Sequence, residues 1–207
     1  MINYIYLFLL FLLFVLNIYS SKNNNDPCND NLTDKEYLNH MIQHHQVAID
    51  MSIILQKKTK WSKMKHILRK LIWTQNYEIN MMKDLLLKLP ENNENIAVNS
   101  KYRATVSDYT FPNKINITDT YCDPFFFNPE AHMEHMKDIK LNDEMYINHM
   151  IPHHQVAVDM SKKLLKNTKN TFMIQFAYRI IRSQQDEIIL LNDLLDNKEL
   201  KYTSLLL

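Results

Sequence analysis

The 207 residues include no glycine at all. That absence excludes every phosphate-binding loop built on glycine, the Walker A loop and the dinucleotide fingerprint among them. It also removes the residue that tight β-hairpin turns prefer, so an all-β fold is not expected. Charge of one sign is lacking too: 24 Lys and Arg face 23 Asp and Glu, a formal net charge of +1. A chain so balanced offers no basic surface for nucleic acid. Cysteine is scarce, with Cys28 and Cys122 alone. Each lies in a polar, proline-containing stretch ahead of a helical segment. In an oxidising compartment one Cys28–Cys122 disulfide ties the two leaders together, and two unpaired thiols are the alternative.

Residues 1–20 contain no charged side chain, and the apolar run Ile5–Val15 has the length of a signal-peptide core. It is short for a membrane span of about 20 residues. The expectation is a cleaved signal over 1–20, with an uncleaved signal anchor as the alternative, followed by a polar leader over 21–33. Export agrees with two N-glycosylation sequons, at Asn31 and Asn116. A secreted or lumenal location follows, without stable membrane insertion once the signal is removed.

What the chain does contain is a repeat. Shifted by 109 residues, Tyr37–Ser52 falls on Tyr146–Ser161, and 13 of the 16 positions are identical. The register continues without a gap: Gln75 falls on Gln184, Glu78 on Glu187 and Leu85 on Leu194. Two copies of one structural unit are implied. Each reads as two helices, over 34–57 and 62–89 in the first unit (residues 34–89) and over 143–166 and 171–196 in the second (143–196). Asp34 and Asp143 are the expected N-caps. Short turns make the two helices of a unit antiparallel neighbours. Two amphipathic hairpins bury each other's apolar faces, so the expected fold is all-α, a four-helix bundle built from two repeated antiparallel helical hairpins. Residues 90–142 form a long connection, with Phe125–Phe127 anchoring it to the core and a short helix starting at Asn128-Pro129-Glu130. Residues 197–207 form a tail.

On a helical wheel His44 sits at the centre of the stripe formed by Tyr37, Met41, Ala48, Met51 and Leu55. His40 lies about 40° to one side and His45 about 100° to the other, which places His45 at the stripe's margin. His40 and His44 are one turn apart, the spacing of helical metal-binding pairs. The second unit repeats this with His149, His153 and His154, beside Met150 and Met160. Pro152 is expected to kink or to start that helix. On the second helix of each unit Glu78 and Glu187 interrupt apolar faces. A carboxylate there is costly unless it is paired, protonated or bound to metal.

The candidate metal ligands are therefore His40, Met41, His44, His45, Met51 and Glu78 in one unit, and His149, Met150, His153, His154, Met160 and Glu187 in the other. His132, Met133, His135 and Met136 in the connection are candidate accessory ligands. Imidazole with thioether favours copper, with zinc and iron as alternatives. One shared site and two separate sites both remain open. So does a metal-free reading, in which Glu78 and His44 form a buried couple.

The phrase HMIPHHQVAVDMS at 149–161, with its partner HMIQHHQVAIDMS at 40–52 and the following QxxEI, resembles the DUF305 family. The resemblance covers about residues 34–89 and 143–196. It implies a ferritin-like bundle of two helical hairpins, in mostly secreted proteins, some of which look like extracytoplasmic copper binders. The family's paired histidines fall on His44-His45 and His153-His154, its preceding histidine on His40 and His149, and its methionines on Met41, Met51, Met150 and Met160. The family pattern's proline is Gln43 in the first copy. The expected function is sequestration or transfer of a transition metal, copper first, without catalysis. A metal-dependent oxidase and a metal-free interaction module are the alternatives.

Overall fold

The computed structural model describes residues 27–29, 31–89, 124–136 and 140–196. Two long helices, α1 (Asp34–Lys58) and α2 (Ser62–Lys88), make the first hairpin. A 3₁₀ turn (Pro124–Phe127) and the short helix α3 (Pro129–Met136) follow. The second hairpin is α4 (Asp143–Asn167) and α5 (Thr171–Asp196). The all-helical, duplicated-hairpin architecture is thus the one the repeat implies, and each long helix ends within one residue of its expected limit. The expected signal segment, the Asn116 sequon, Cys122, most of the connection and the tail lie outside the described residues. Cys28 is not a free thiol.

The helix starts differ from expectation by one residue. Thr33, not Asp34, caps α1. Its hydroxyl accepts from the Glu36 amide, and Glu36 reaches back to the Thr33 amide at 2.9 Å, completing a capping box. Asn142, not Asp143, caps α4 by accepting from the Met145 amide. In each case the residue before the aspartate has the extended backbone a cap requires, and the aspartate becomes a first-turn acid that favours the helix dipole. The helix ends show how a chain without glycine turns. Thr59 and Thr168 follow α1 and α4 with extended backbones, φ −65° and −74°. Neither of these C-cap residues is left-handed. The helix over Pro152 does not start there; α4 runs through it, since its first turns are held by the Asn142 cap and by the burial of Tyr146, Ile147 and Met150.

The two hairpins pack so that α1 and α4 run antiparallel. The Tyr37 hydroxyl lies 2.7 Å from Ser161 Oγ, and the Tyr146 hydroxyl lies 2.6 Å from Ser52 Oγ. Each serine donates its single proton to the carbonyl one turn back, Ala157 or Ala48, so each tyrosine is the donor. Burial pushes both tyrosine hydroxyls well above their ordinary pKa. These two bonds pin the ends of the α1–α4 contact in register.

Apolar residues form two clusters, one at each end of the bundle. One joins the start of α1 and end of α2 to the end of α4 and start of α5, through Met41, Met82, Met160 and Met173. The other joins the end of α1 and start of α2 to the start of α4 and end of α5, through Met51, Met64, Met150 and Leu191. Between them lie buried polar residues of all four long helices: His44, His45, Gln75, Glu78, His153, His154, Gln184 and Glu187.

Leu68→Ala removes a fully buried side chain from the second cluster. It is expected to cost about 2–5 kcal/mol in urea unfolding. Leu87→Ala, at an exposed position, is expected to cost less than about 0.5 kcal/mol. Equal losses would contradict the assigned packing.

Candidate metal centre

The centre of the polar layer is a stack of two imidazoles. The ring centroids of His44 and His153 are 3.6 Å apart, at 30° between planes. Both side chains are fully buried. His44 Nε2–H donates to the His153 backbone carbonyl at 3.0 Å, which leaves the lone pair on Nδ1. Among the described residues that Nδ1, and both ring nitrogens of His153, have no hydrogen-bond partner. Burial holds both imidazoles well below their ordinary pKa, and the nearby histidines add to the effect. Two stacked neutral rings are thus presented in a fully buried interior.

The wheel placed His45 and His154 at the margin of the apolar stripe, yet both are fully buried. The cause is the bundle itself. A long helix here has one flank against the other hairpin and another against its own partner helix. His44 takes the first flank and His45 the second. The buried couple is accordingly His45–Glu78, with Nε2 and Oε2 3.0 Å apart, and not the His44–Glu78 couple considered above. The second oxygen of Glu78 accepts from Ser183 Oγ at 2.8 Å, across to the other hairpin.

The second unit repeats the theme with different partners. His154 Nε2 sits 3.1 Å from Glu187 Oε2, off the angle of a hydrogen bond. Glu187 instead accepts from Gln75 Nε2 at 3.3 Å, again across the hairpins. Gln184, the repeat counterpart of Gln75, has no hydrogen-bond partner for its side chain among the described residues. Ser183, Gln75, Ser52 and Ser161 were not singled out from the sequence. Their signal was available in part: Ser52 and Ser161 match within the identical stretch, and Gln75 aligns with Gln184.

The remaining candidates fall in three places. Met41, Met51, Met150 and Met160 are all buried, in the two apolar clusters that flank the layer. His40 is buried edge-on to Phe127, with ring centroids 6.1 Å apart. The expected anchor of three phenylalanines is real but lands on histidines. Phe127 lies 5.2 Å from the His44 ring, Phe126 5.1 Å from both His149 and His153, and Phe125 4.9 Å from His132. Of the accessory candidates, His132 and Met136 are buried, Met133 is half-buried and His135 is exposed. Asp50 and Asp159 hydrogen-bond to Gln46 and Gln155 of their own helices and take no part in the layer.

A mimivirus protein, uncharacterised protein L153 of Acanthamoeba polyphaga mimivirus, is 44% identical over 61 residues, 30% of this chain and 40% of that protein. The family model for DUF305, a domain of unknown function, matches residues 27–108 and 124–195, more than half of the chain. The chain belongs to the DUF305 family. A DUF305 fragment from Deinococcus radiodurans shares the fold at TM-score 0.54 and 17% identity, over 78% of this chain and 94% of that one. CopM is similar at 27% identity in its Cu(I)-bound form, with TM-score 0.54, over 80% of this chain and 97% of that one. CopM structures with Cu(II) and with silver match comparably.

The donor set of this DUF305 chain suits a soft or borderline cation, since buried imidazole nitrogens lack partners and thioethers stand one turn away at Met41 and Met150. The His45–Glu78 couple has the form of a carboxylate that orients a ligating histidine through its other nitrogen. Among the described residues no three His, Cys, Asp or Glu side chains form a ready cage. A bound ion would complete its shell with thioether sulfur or water. The open groove of about 500 Å³ lined by Arg69, Trp73 and Tyr77 shares no residue with this layer.

The depressed pKa values set a pH dependence. An unfolded histidine protonates below about pH 6.5, whereas folded His44 and His153 resist protonation. The unfolded state therefore binds more protons as pH falls below that value, and stability falls with it. His132, lowered to about 4 by burial and by His135, acts in the same direction. For chelator-treated protein the urea midpoint is expected to be lower at about pH 5.5 than at about pH 7.5. The drop is expected to shrink in His44→Phe/His153→Phe. A midpoint unchanged over that range would contradict the buried neutral pair.

Proposed function

We propose that this chain binds copper in the histidine layer of its bundle, outside the cytoplasm, and sequesters or passes on the ion without catalysis. The observation that carries this reading is the buried His44–His153 stack, whose ring nitrogens outnumber the partners the described protein supplies. A buried ring nitrogen without a partner costs about 1–3 kcal/mol, and a cation coordinated there would offset that cost. The likeness to CopM, solved with Cu(I), Cu(II) and silver, supports the choice of ion. So do the buried methionines, because thioether selects Cu(I). An extracytoplasmic site is supported by the apolar Ile5–Val15 segment and by the exposure of Asn31 in its sequon.

A metal-free reading has one observation in its favour. The His45–Glu78 couple, with Ser183 on the second oxygen, is satisfied on the carboxylate side without any ion. Copper titration separates the two readings. The wild type is expected to bind Cu(I) at least about tenfold more tightly than His44→Ala/His153→Ala. Glu78→Gln is expected to lose about 10–100-fold through misorientation of His45. Equal, weak binding by all three proteins, with a melting temperature that copper does not move, favours the metal-free module.

A further inference from the structure

The helix α3 belongs to neither repeat, yet it carries a fully buried histidine. His132 Nε2 meets His149 Nε2 of α4 at 3.2 Å. Two imidazoles on one tetrahedral ion, each at about 2.0–2.1 Å, have nitrogens about 3.3–3.4 Å apart. The pair thus already has the spacing of a two-nitrogen chelate. Both rings are held by packing, His132 against Phe125 at 4.9 Å and His149 against Phe126 at 5.1 Å. The place is reachable from solvent, because His149 and the neighbouring Met133 are half-buried and His135 is exposed. It is also one ring from the core layer, since the His149 and His153 centroids are 5.9 Å apart. His40, the counterpart of His149 in the first repeat, likewise has a phenylalanine ring beside it, Phe127.

We propose that His132 and His149 form a second copper site, a solvent-side port on the second repeat next to His153. It takes one cation between its two Nε2 atoms, with the remaining positions open to water or incoming ligand. On binding, the one proton the two Nε2 atoms share moves to Nδ1 of the ring that carried it, so both rings stay neutral and each Nε2 offers a lone pair. The choice of ion rests on the copper reading above, but the residues are distinct from the His44–His153 stack, so each site can fail alone.

The test is equilibrium dialysis of the full chain against Cu(II), with ions counted per chain. His132→Phe keeps the ring bulk against Phe125 and is expected to bind one ion fewer than the wild type. His149→Gln is expected to lose the same ion, and His66→Ala, at an exposed position of α2, to lose none. A readout on the wild type needs no variant to fold: Cu(II) is expected to protect His149 from carbethoxylation, mapped by peptide mass, and to leave His66 reactive. An unchanged ion count in His132→Phe, or no protection of His149, overturns the port and leaves the core reading standing. Loss of copper in His132→Phe, with none lost in His44→Ala/His153→Ala, overturns the core reading and keeps the port.

Discussion

Two carboxylates in a dry interior govern the rest of this structure. Glu78 and Glu187 are buried in the middle of a helical bundle, where an unpaired carboxylate is not tolerated. Each is met by a histidine of its own hairpin and by a donor from the other: His45 and Ser183 for Glu78, His154 and Gln75 for Glu187. Removing one partner of such a buried pair costs about 3–5 kcal/mol, a large share of the roughly 5–15 kcal/mol that holds a typical domain folded. The apolar clusters at either end supply burial. The carboxylates fix how the hairpins meet, because a slip along α1 and α4 would strand them. The Tyr37–Ser161 and Tyr146–Ser52 bonds enforce the same register from the ends.

The duplication makes the layer nearly twofold, and its departures from symmetry are where function can reside. Ser183 bonds Glu78, but its repeat counterpart is Thr74, and Glu187 is met instead by Gln75. His44 is anchored to a carbonyl, whereas His153 has neither nitrogen engaged by a hydrogen bond among the described residues. The 3₁₀ turn and α3 add aromatic and histidine rings that contact the two repeats differently, Phe127 beside His40 and His132 beside His149. Both repeats are therefore decorated, but with different rings, and their histidine environments are inequivalent.

Much of this was legible from the residues. Nearly identical phrases 109 positions apart implied two equal hairpins, and the polar turns set the helix limits closely. Glu78 and Glu187 were visible as anomalies because a charge within an apolar stripe stands out on any wheel. The wheel failed at His45 and His154 because it assigns each helix one buried face, while α1 buries residues as far round as Leu38, His45, Val47 and Ile49. Gln75 was visible as the repeat counterpart of Gln184, but the inter-hairpin contacts of Ser183 and Gln75 were not legible, because they depend on the relative register of two helices with no local sequence signal for it. The N-caps were misplaced by one residue because Thr33-Asp34 and Asn142-Asp143 each offer two good capping side chains in succession, and only backbone geometry chooses between them. His132 was visible as a candidate ligand, but its partner was not, since that depends on the path of the connection.

The central claim is that the buried histidine layer is a copper site and not merely a hydrogen-bonded core. Native mass spectrometry of the protein purified from its natural source, with no metal added, tests this most directly. The account predicts folded chains carrying the mass of bound copper. Folded chains found only at the metal-free mass, in copper-replete medium, would contradict it.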